Sequence, residues 1–413
     1  MTHQVFPSIL DNDLYKFTMQ NAVFTYYKRD IPVVYQFTNR EKQLQLNAEA
    51  VDWLQKQIDD LENLHLTDAE REYLSGYPYF QQDYIDFLYQ FRYKPKEQVK
   101  LKFDKTTNDL ELEVVGNWHE TILYEVPLLA LISEAYFRFV DKDWNYDGQY
   151  EHAAEKARVL LEHGCAFAEF GTRRRRDFKT QDMVIRALKE TFETYKTNCL
   201  QEGKEVKGLL TGTSNVYFAM KYAMNAIGTV AHEFFMAVSA LENVQHANRE
   251  TLGIWHKVYK GALGIALTDT FTTPIFLKDF QYDLASVYTG VRHDSGDPMQ
   301  FTETIVNHYK SIGIDPSTKT IVFSDSLNVE RAIALYDHAK KLGIKPSFGI
   351  GTSLTNDFKK ASDGKTKSKP LNIVIKIKEC IGKRVIKLSD DVLKHSADEA
   401  TISAFEHELG ITK

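Results

Sequence analysis

The chain has 413 residues, 43% hydrophobic and 26% charged, with a net charge of −6 and a pI near 6.1. That length exceeds one ordinary hydrophobic core and implies two or three domains. The acidic balance excludes a general nucleic-acid binder, which needs a basic footprint. Three scattered cysteines, Cys165, Cys199 and Cys380, argue against a disulfide scaffold and lack metal-ligand spacing. The first seven residues show no basic stretch followed by an apolar core. No uninterrupted apolar run reaches the roughly 20 residues that span a bilayer. The expected location is the cytoplasm, with no membrane partner.

In chain order, Asp11 or Asn12 can cap a helix over residues 14–27, and residues 32–39 alternate like a strand. Residues 51–64, 68–74 and 82–91 have helical periodicity, and 99–103 with 110–115 form a hairpin pattern. Residues 120–140 read as one long apolar helix. Glu125, Glu134 and Arg138 within it point to burial in protein, not in lipid. From about Glu151 helical stretches at 151–163, 179–201, 214–224, 234–258, 298–312 and 327–342 alternate with short apolar runs. Alternation of this kind implies parallel strands with right-handed crossovers. Residues 359–369 are lysine-rich and read as a solvated loop; 371–377 and 384–388 suggest a hairpin, and 399–409 a last helix.

The apolar runs are 166–170, 208–210, 226–227, 265–267, 287–288, 321–323 and 347–348. Each gives way to small and charged residues at its carboxyl end. Parallel α/β proteins place their chemistry at that rim. The expected fold is therefore α/β: an irregular parallel (β/α) barrel of about seven strands over residues 146–359, plus an α+β domain. That second domain is expected to combine residues 1–145 with the tail, 360–413.

Several rim constellations carry chemistry. Arg173 to Arg176 follow Gly171-Thr172 at a strand end, where guanidinium forks suit carboxylate or phosphate, although a basic run is as often a solvated face. Arg173 and Arg175 are the expected inward pair. Gly349-Ile350-Gly351-Thr352 can bring backbone N–H groups against a phosphate, as can Gly212-Thr213-Ser214. Arg292, Asp294 and Asp297 share one loop. Two carboxylates there could hold Mg²⁺ through substrate phosphates or bind ribose, while Asp297 before Pro298 could simply cap a helix. Asp269 and Asp325 add carboxylates along the rim. His232, followed by Glu233, could be a base or a nucleophile towards phosphorus, and sequence alone leaves both open.

Taken together, Asp13-Leu14-Tyr15, Phe170-Gly171-Thr172-Arg173-Arg174-Arg175, Gly212-Thr213-Ser214-Asn215, Gly228-Thr229, Ala231-His232-Glu233, Arg292 with Asp294-Ser295-Gly296-Asp297, Ser324-Asp325 and Phe348-Gly349-Ile350-Gly351-Thr352 resemble the nicotinate phosphoribosyltransferase family. The tail string from Leu371 to Lys376 does so too. The resemblance implies transfer of phosphoribose from phosphoribosyl pyrophosphate to nicotinate, with Mg²⁺ and with ATP as co-substrate. It implies transient phosphorylation of His232, with Asp294 and Glu233 as further catalytic groups. Tyr15, Arg173, Thr229 and Arg292 would contact nicotinate and Phe170 would stack on its ring. Arg175 is a further candidate substrate residue. Thr352, Gly349 and Gly351 would meet the ribose phosphate, with Asp325 near the ribose. Asp294 and Asp297 would be candidate Mg²⁺ ligands. Nicotinamide-using relatives have aspartate where Ser214 stands, so serine suits the acid. The family implies a homodimer with the tyrosine contributed across its interface. Rival readings are a quinolinate- or nicotinamide-using phosphoribosyltransferase, a barrel hydrolase built on Asp269, Asp294 and Asp325, and a non-catalytic relative.

Overall fold

The computed structural model describes residues 5–391 and 398–411. Met1 to Gln4, part of the N-terminal stretch read above for a leader, and residues 392–397 and 412–413 of the tail lie outside the described residues.

The first helix, α1 (Leu14–Ala22), is buried along nearly its whole length and continues as a π-helical turn over Val23–Tyr27. Strand β1 (Pro32–Asn39) and the hairpin β2 (Val99–Asp104) and β3 (Asp109–Asn117) pair antiparallel, with Pro32 opposite Asn117 and Val99 opposite Val114. Helix α2 (Glu125–Phe139) is shorter than the run that announces it, because the chain enters through a short helix (Trp118–Thr121) and a 3-10 turn (Ile122–Tyr124). Pro127 sits in its first turn, where no intrahelical donor is needed. Residues Val126 to Phe137 are all buried, as the three charges in that run suggest.

Helix α3 (Gln149–His163) then leads into β4 (Ala166–Glu169), α4 (Phe178–Gln201), β5 (Leu209–Thr213), α5 (Val216–Lys221), α6 (His232–Leu241), α7 (Ala247–Tyr259), β6 (Ile265–Leu267), β7 (Gly290–His293), α8 (Pro298–Ser311), β8 (Thr320–Phe323), α9 (Val329–Leu342) and β9 (Lys345–Ile350). The six strands form one parallel sheet in the order β5-β4-β9-β8-β7-β6. The seventh run, 226–227, adds one parallel bridge from Ala226 to Thr213 at the β5 edge. No bridge joins it to β6 among the described residues, which is why the barrel is irregular. Two local expectations change. Residues 287–288 end a helix (Tyr282–Val287), and the strand begins at Gly290. The single helix expected over 234–258 breaks at Glu242 and Asn243, where Asn243 caps a new 3-10 turn.

The lysine-rich loop is pinned, not merely solvated. Strands β10 (Phe358–Lys359) and β11 (Lys367–Ser368) pair, and the buried Arg176 guanidinium bonds Ser368 while lying 3.5 Å from the Phe137 ring centroid and 4.2 Å from that of Phe358. The tail strand β12 (Ile373–Cys380) pairs antiparallel with β1, and with the short β13 (Lys383–Arg384) it completes a five-stranded sheet, β13-β12-β1-β3-β2. Alternation along β12 buries Ile373, Ile375 and Ile377 and sends Lys376 to the opposite face. The expected second hairpin strand stops at Arg384. The chain then leaves the sheet, and Leu388 N–H bonds to Thr270 O beyond β6. The described tail ends in a helix, Glu399–Glu408. No described helix is long and apolar enough to cross a membrane.

Candidate active site

Two adjoining cavities open between the carboxyl ends of the parallel strands and the inward face of β12. The smaller, about 110 Å³, is lined by Tyr15, Phe170, Arg173, Ser214, Thr229 and Arg292 among others. Local backbone contacts build it. Asp13 bridges Asn215 and Leu14 N–H bonds Ser214 O, which docks the start of α1 onto the end of β5. Gly228 permits this: a Cβ there would lie 3.0 Å from Tyr15 N. Phe170 N–H bonds Ile350 O, and its ring packs flat over Gly349, where a Cβ would come within 2.4 Å of the ring.

The polar groups of this cavity are held before any ligand arrives. Arg292 donates from Nε to Ser324 Oγ (2.8 Å), from one terminal nitrogen to Thr229 Oγ1 (3.0 Å) and from the other to Asp294 Oδ1 (3.0 Å). Arg173 reaches Glu125 at 3.3 Å and lies 5.8 Å from the Tyr15 ring centroid. Tyr15 donates to Glu125 at 3.2 Å. Ser214 donates to Asp13 Oδ1 at 2.7 Å, so this end of the cavity contains an acid even though position 214 is serine. Burial raises the Asp13 carboxyl above its ordinary range, against the pull of Arg173.

His232 stands where the two cavities meet, at the first position of α6. Its Nε2 lies 2.7 Å from Asp269 Oδ1 and 3.7 Å from Asp294 Oδ2. Lys387, delivered by the tail, lies 2.9 Å from Asp269 and 3.7 Å from Asp294. Burial, with the Lys387 ammonium next, lowers the His232 pKa to about 4 despite both aspartates. The positive end of a helix acts in the same direction. Burial would raise Asp294, but Arg292, Lys387 and His232 hold its carboxyl well below the usual range. The imidazole is therefore neutral at pH 7. Nε2–H donates to Asp269 Oδ1, which leaves the lone pair on Nδ1.

The larger cavity, about 290 Å³, is lined by Gly349, Gly351, Thr352, Ser324 and Asp325 on one side and by basic groups on the other. Arg40, Arg173, Arg174, Arg292, Lys376 and Lys387 face Asp294 and Asp325 there. Arg40 and Arg174 form no ion pair among the described residues. Burial, with Arg173 and Arg40 next, lowers the Arg174 pKa to about 10. Burial, with Lys387 and Arg40 next, lowers the Lys376 pKa to about 7.

Four expectations require correction. Arg175 does not reach either cavity: its guanidinium forks onto Asp11 at 2.8 Å, both groups wholly buried, and Arg174 faces the cavity instead. Asp297 lines neither cavity: its Oδ1 accepts from the N–H groups of Met299 and Gln300 as a helix cap. Glu233 is no free base beside His232, because Lys16, Tyr35 (2.6 Å) and Trp118 (2.7 Å) occupy its oxygens. Tyr15 lines the cavity of its own chain, where α1 docks on β5. Lys16, Arg40 and Lys387 escaped notice, while Glu125 reads in the sequence only as a buried helix charge and Arg174 only as one of four adjacent arginines. Lys376 left a signal, as a lysine alternating with isoleucines in a strand.

A cavity lined by two aromatic rings and two arginines, opening into a basic, glycine-rimmed one at the ends of the parallel strands, has the make-up of an enzyme site for anionic substrates. The model of the nicotinate phosphoribosyltransferase family matches residues 165–413, and that of the family's N-terminal domain matches 10–133. A Schizosaccharomyces pombe relative is 47% identical over 99% of each chain. The nicotinate phosphoribosyltransferase of Saccharomyces cerevisiae is 45% identical, covering 100% of this chain and 97% of that one. A crystal structure from the same yeast superposes with a TM-score of 0.94 at 43% identity, over 100% of both chains. The chain belongs to the nicotinate phosphoribosyltransferase family.

Proposed function

We propose that this chain forms nicotinate mononucleotide and pyrophosphate from nicotinate and phosphoribosyl pyrophosphate, an entry into NAD salvage, with coupled ATP hydrolysis. Family membership supports the reaction. The observation that carries its division of labour is the pairing of an aromatic slot bearing Arg173 and Arg292 with the basic second cavity. The pyridine ring lies between Phe170 and Tyr15, its carboxylate towards the two arginines, and its nitrogen points at the junction. The ribose phosphate lies against Gly351 and Thr352, and the pyrophosphate against Arg40, Arg174 and Lys376.

The pyridine nitrogen attacks the anomeric carbon as the bond to pyrophosphate breaks. The electron pair leaves on the pyrophosphate oxygen, so the demand is for fixed positive charge on that side. Asp294 and Asp325 are the carboxylates that would meet a Mg²⁺ carried by pyrophosphate. The ion would supply further charge neutralisation on the leaving group. Among the described residues, one cluster has three metal-type ligands close together: His232, Asp269 and Asp294. Lys387 already fills the same space with an ammonium, so it serves as an ion-pair node.

In the ATP-coupled step, His232 Nδ1 attacks the γ-phosphorus. An N–P bond forms and the bond to ADP oxygen breaks, while Nε2 keeps its proton in the hydrogen bond to the Asp269 carboxylate. Neutral imidazole, with a pKa near 4, supports this role. A homodimer and a cytoplasmic location follow from the family resemblance and the composition. Incubation with Mg-ATP, phosphoribosyl pyrophosphate and either pyridine tests the reading. We expect the mononucleotide with nicotinate, ADP release, and acid-labile phosphate on wild-type protein but not on His232→Asn. Product with nicotinamide alone, or with quinolinate and no ATP, overturns it.

A further inference from the structure

The charges lining the first cavity do not balance in favour of an anion. Arg173, Arg292 and Lys376 stand against Asp13, Glu125, Glu233 and Asp294. Yet on the proposed reading this cavity takes a carboxylate. The missing positive charge lies behind the wall. Lys16, on α1 directly after Tyr15, is wholly buried, with its ammonium 2.5 Å from Glu125 and in direct contact with Glu233. Glu125 is the same carboxylate that accepts from Tyr15 and Arg173, the two groups expected at the nicotinate ring. Glu233 is fixed in turn by Tyr35 and Trp118 at the start of α6, one residue after His232. One ammonium thus ties together α1, α2 and α6, the three elements that carry Tyr15, Glu125 and His232. Both partners are ionised: burial opposes the charge on each, but Glu125 and Glu233 raise the Lys16 pKa, and Lys16 and Arg173 lower that of Glu125.

We propose that Lys16 is a specificity-determining positioning residue. From outside the cavity it cancels the charge of Glu125, so that Glu125 can orient Tyr15 and Arg173 without repelling an anionic pyridine. The inference rests on the first cavity being the nicotinate site. It makes the charge of the Lys16–Glu125 pair, and not merely its packing, decide between a carboxylate and a carboxamide on the ring. An uncompensated unit charge this close to a bound anion changes affinity about ten- to a hundredfold, and leaves a neutral ring nearly indifferent.

The test is the ratio of the nicotinamide inhibition constant to the nicotinate KM in Lys16→Met, Glu125→Gln, the double variant, Lys16→Arg and wild type. The ratio should fall about ten- to a hundredfold in Lys16→Met, rise in Glu125→Gln, and return to within about threefold of wild type in the double variant and in Lys16→Arg. Lys16→Met strands two buried carboxylates and can fail to fold. The step from Glu125→Gln to the double variant then supplies the same comparison, with an expected drop of about tenfold. Parallel shifts for both pyridines, or an unchanged ratio across that step, overturn the proposal. Arg292→Gln separates the two claims. If it leaves nicotinate KM unchanged, the cavity assignment fails; if it raises KM while the Lys16 series stays flat, only the role of Lys16 fails.

Discussion

The two cavities share Phe170, Arg173, His232, Arg292, Asp294, Val374 and Lys376, but they handle charge in opposite ways. In the smaller one the arginines are already committed: Arg292 to Ser324, Thr229 and Asp294, and Arg173 to Glu125. In the larger one six basic side chains face two acids, and burial, with the neighbouring cations next, depresses Arg174 and Lys376. A preorganised, nearly neutral slot suits a small ring with one charge. An excess of cations that repel one another suits a polyanion, whose binding relieves that repulsion. The difference supports the proposed placement of the ring in the smaller cavity and of the phosphates in the larger.

The largest effect expected at the polyanion end is from Lys387→Met, which strips the ammonium from Asp269 and Asp294. kcat/KM for phosphoribosyl pyrophosphate should fall about 10²–10³-fold, with a smaller change in nicotinate KM. Lys387 also helps hold His232 near pKa 4. Its removal should move the acid limb of the ATP-dependent rate upward, towards neutral pH. Arg174→Ala should raise the phosphoribosyl pyrophosphate KM about tenfold, more at low salt than at high, and leave nicotinate KM within about twofold. An equal effect on both substrates would break the division between the cavities.

Lys376 gives a sharper version of the same contrast. With a pKa near 7 it is cationic below that pH and neutral above it, so the phosphoribosyl pyrophosphate KM should climb as pH rises past 7. The rise is limited to about tenfold per pH unit for one group. Lys376→Met should flatten that slope. The smallest effect belongs to the ring end. Thr229→Val removes one hydrogen bond to Arg292, which should raise nicotinate KM about fivefold, worth about 1 kcal/mol, and spare the other substrate.

The rim of the barrel was legible in the sequence because strand ends announce themselves by a switch from apolar to polar: five of the seven runs are strands of the parallel sheet, and a sixth, 226–227, forms one bridge at its edge. The run at 287–288 misled because a short apolar stretch cannot distinguish a strand from the last turn of a helix. The arginine run shows the limit for side chains. Four adjacent guanidiniums look alike in sequence, yet Arg173 and Arg174 face the cavities. Arg175 goes to Asp11, and Arg176 goes under the lysine-rich hairpin. Their destinations depend on partners 164 and 192 residues away, which no local pattern encodes. Lys16 and Lys387 were hidden for the same reason. Each is a single lysine near one end of the chain, and its meaning comes from carboxylates brought to it by the fold.

The most direct test of this two-ended site is a crystal structure of the chain with nicotinate mononucleotide. The account predicts the pyridine between Phe170 and Tyr15, its carboxylate towards Arg173 and Arg292, and the phosphate against Gly351 and Thr352. A phosphate lodged between Tyr15 and Arg292, with the ring on the glycine side, would contradict it.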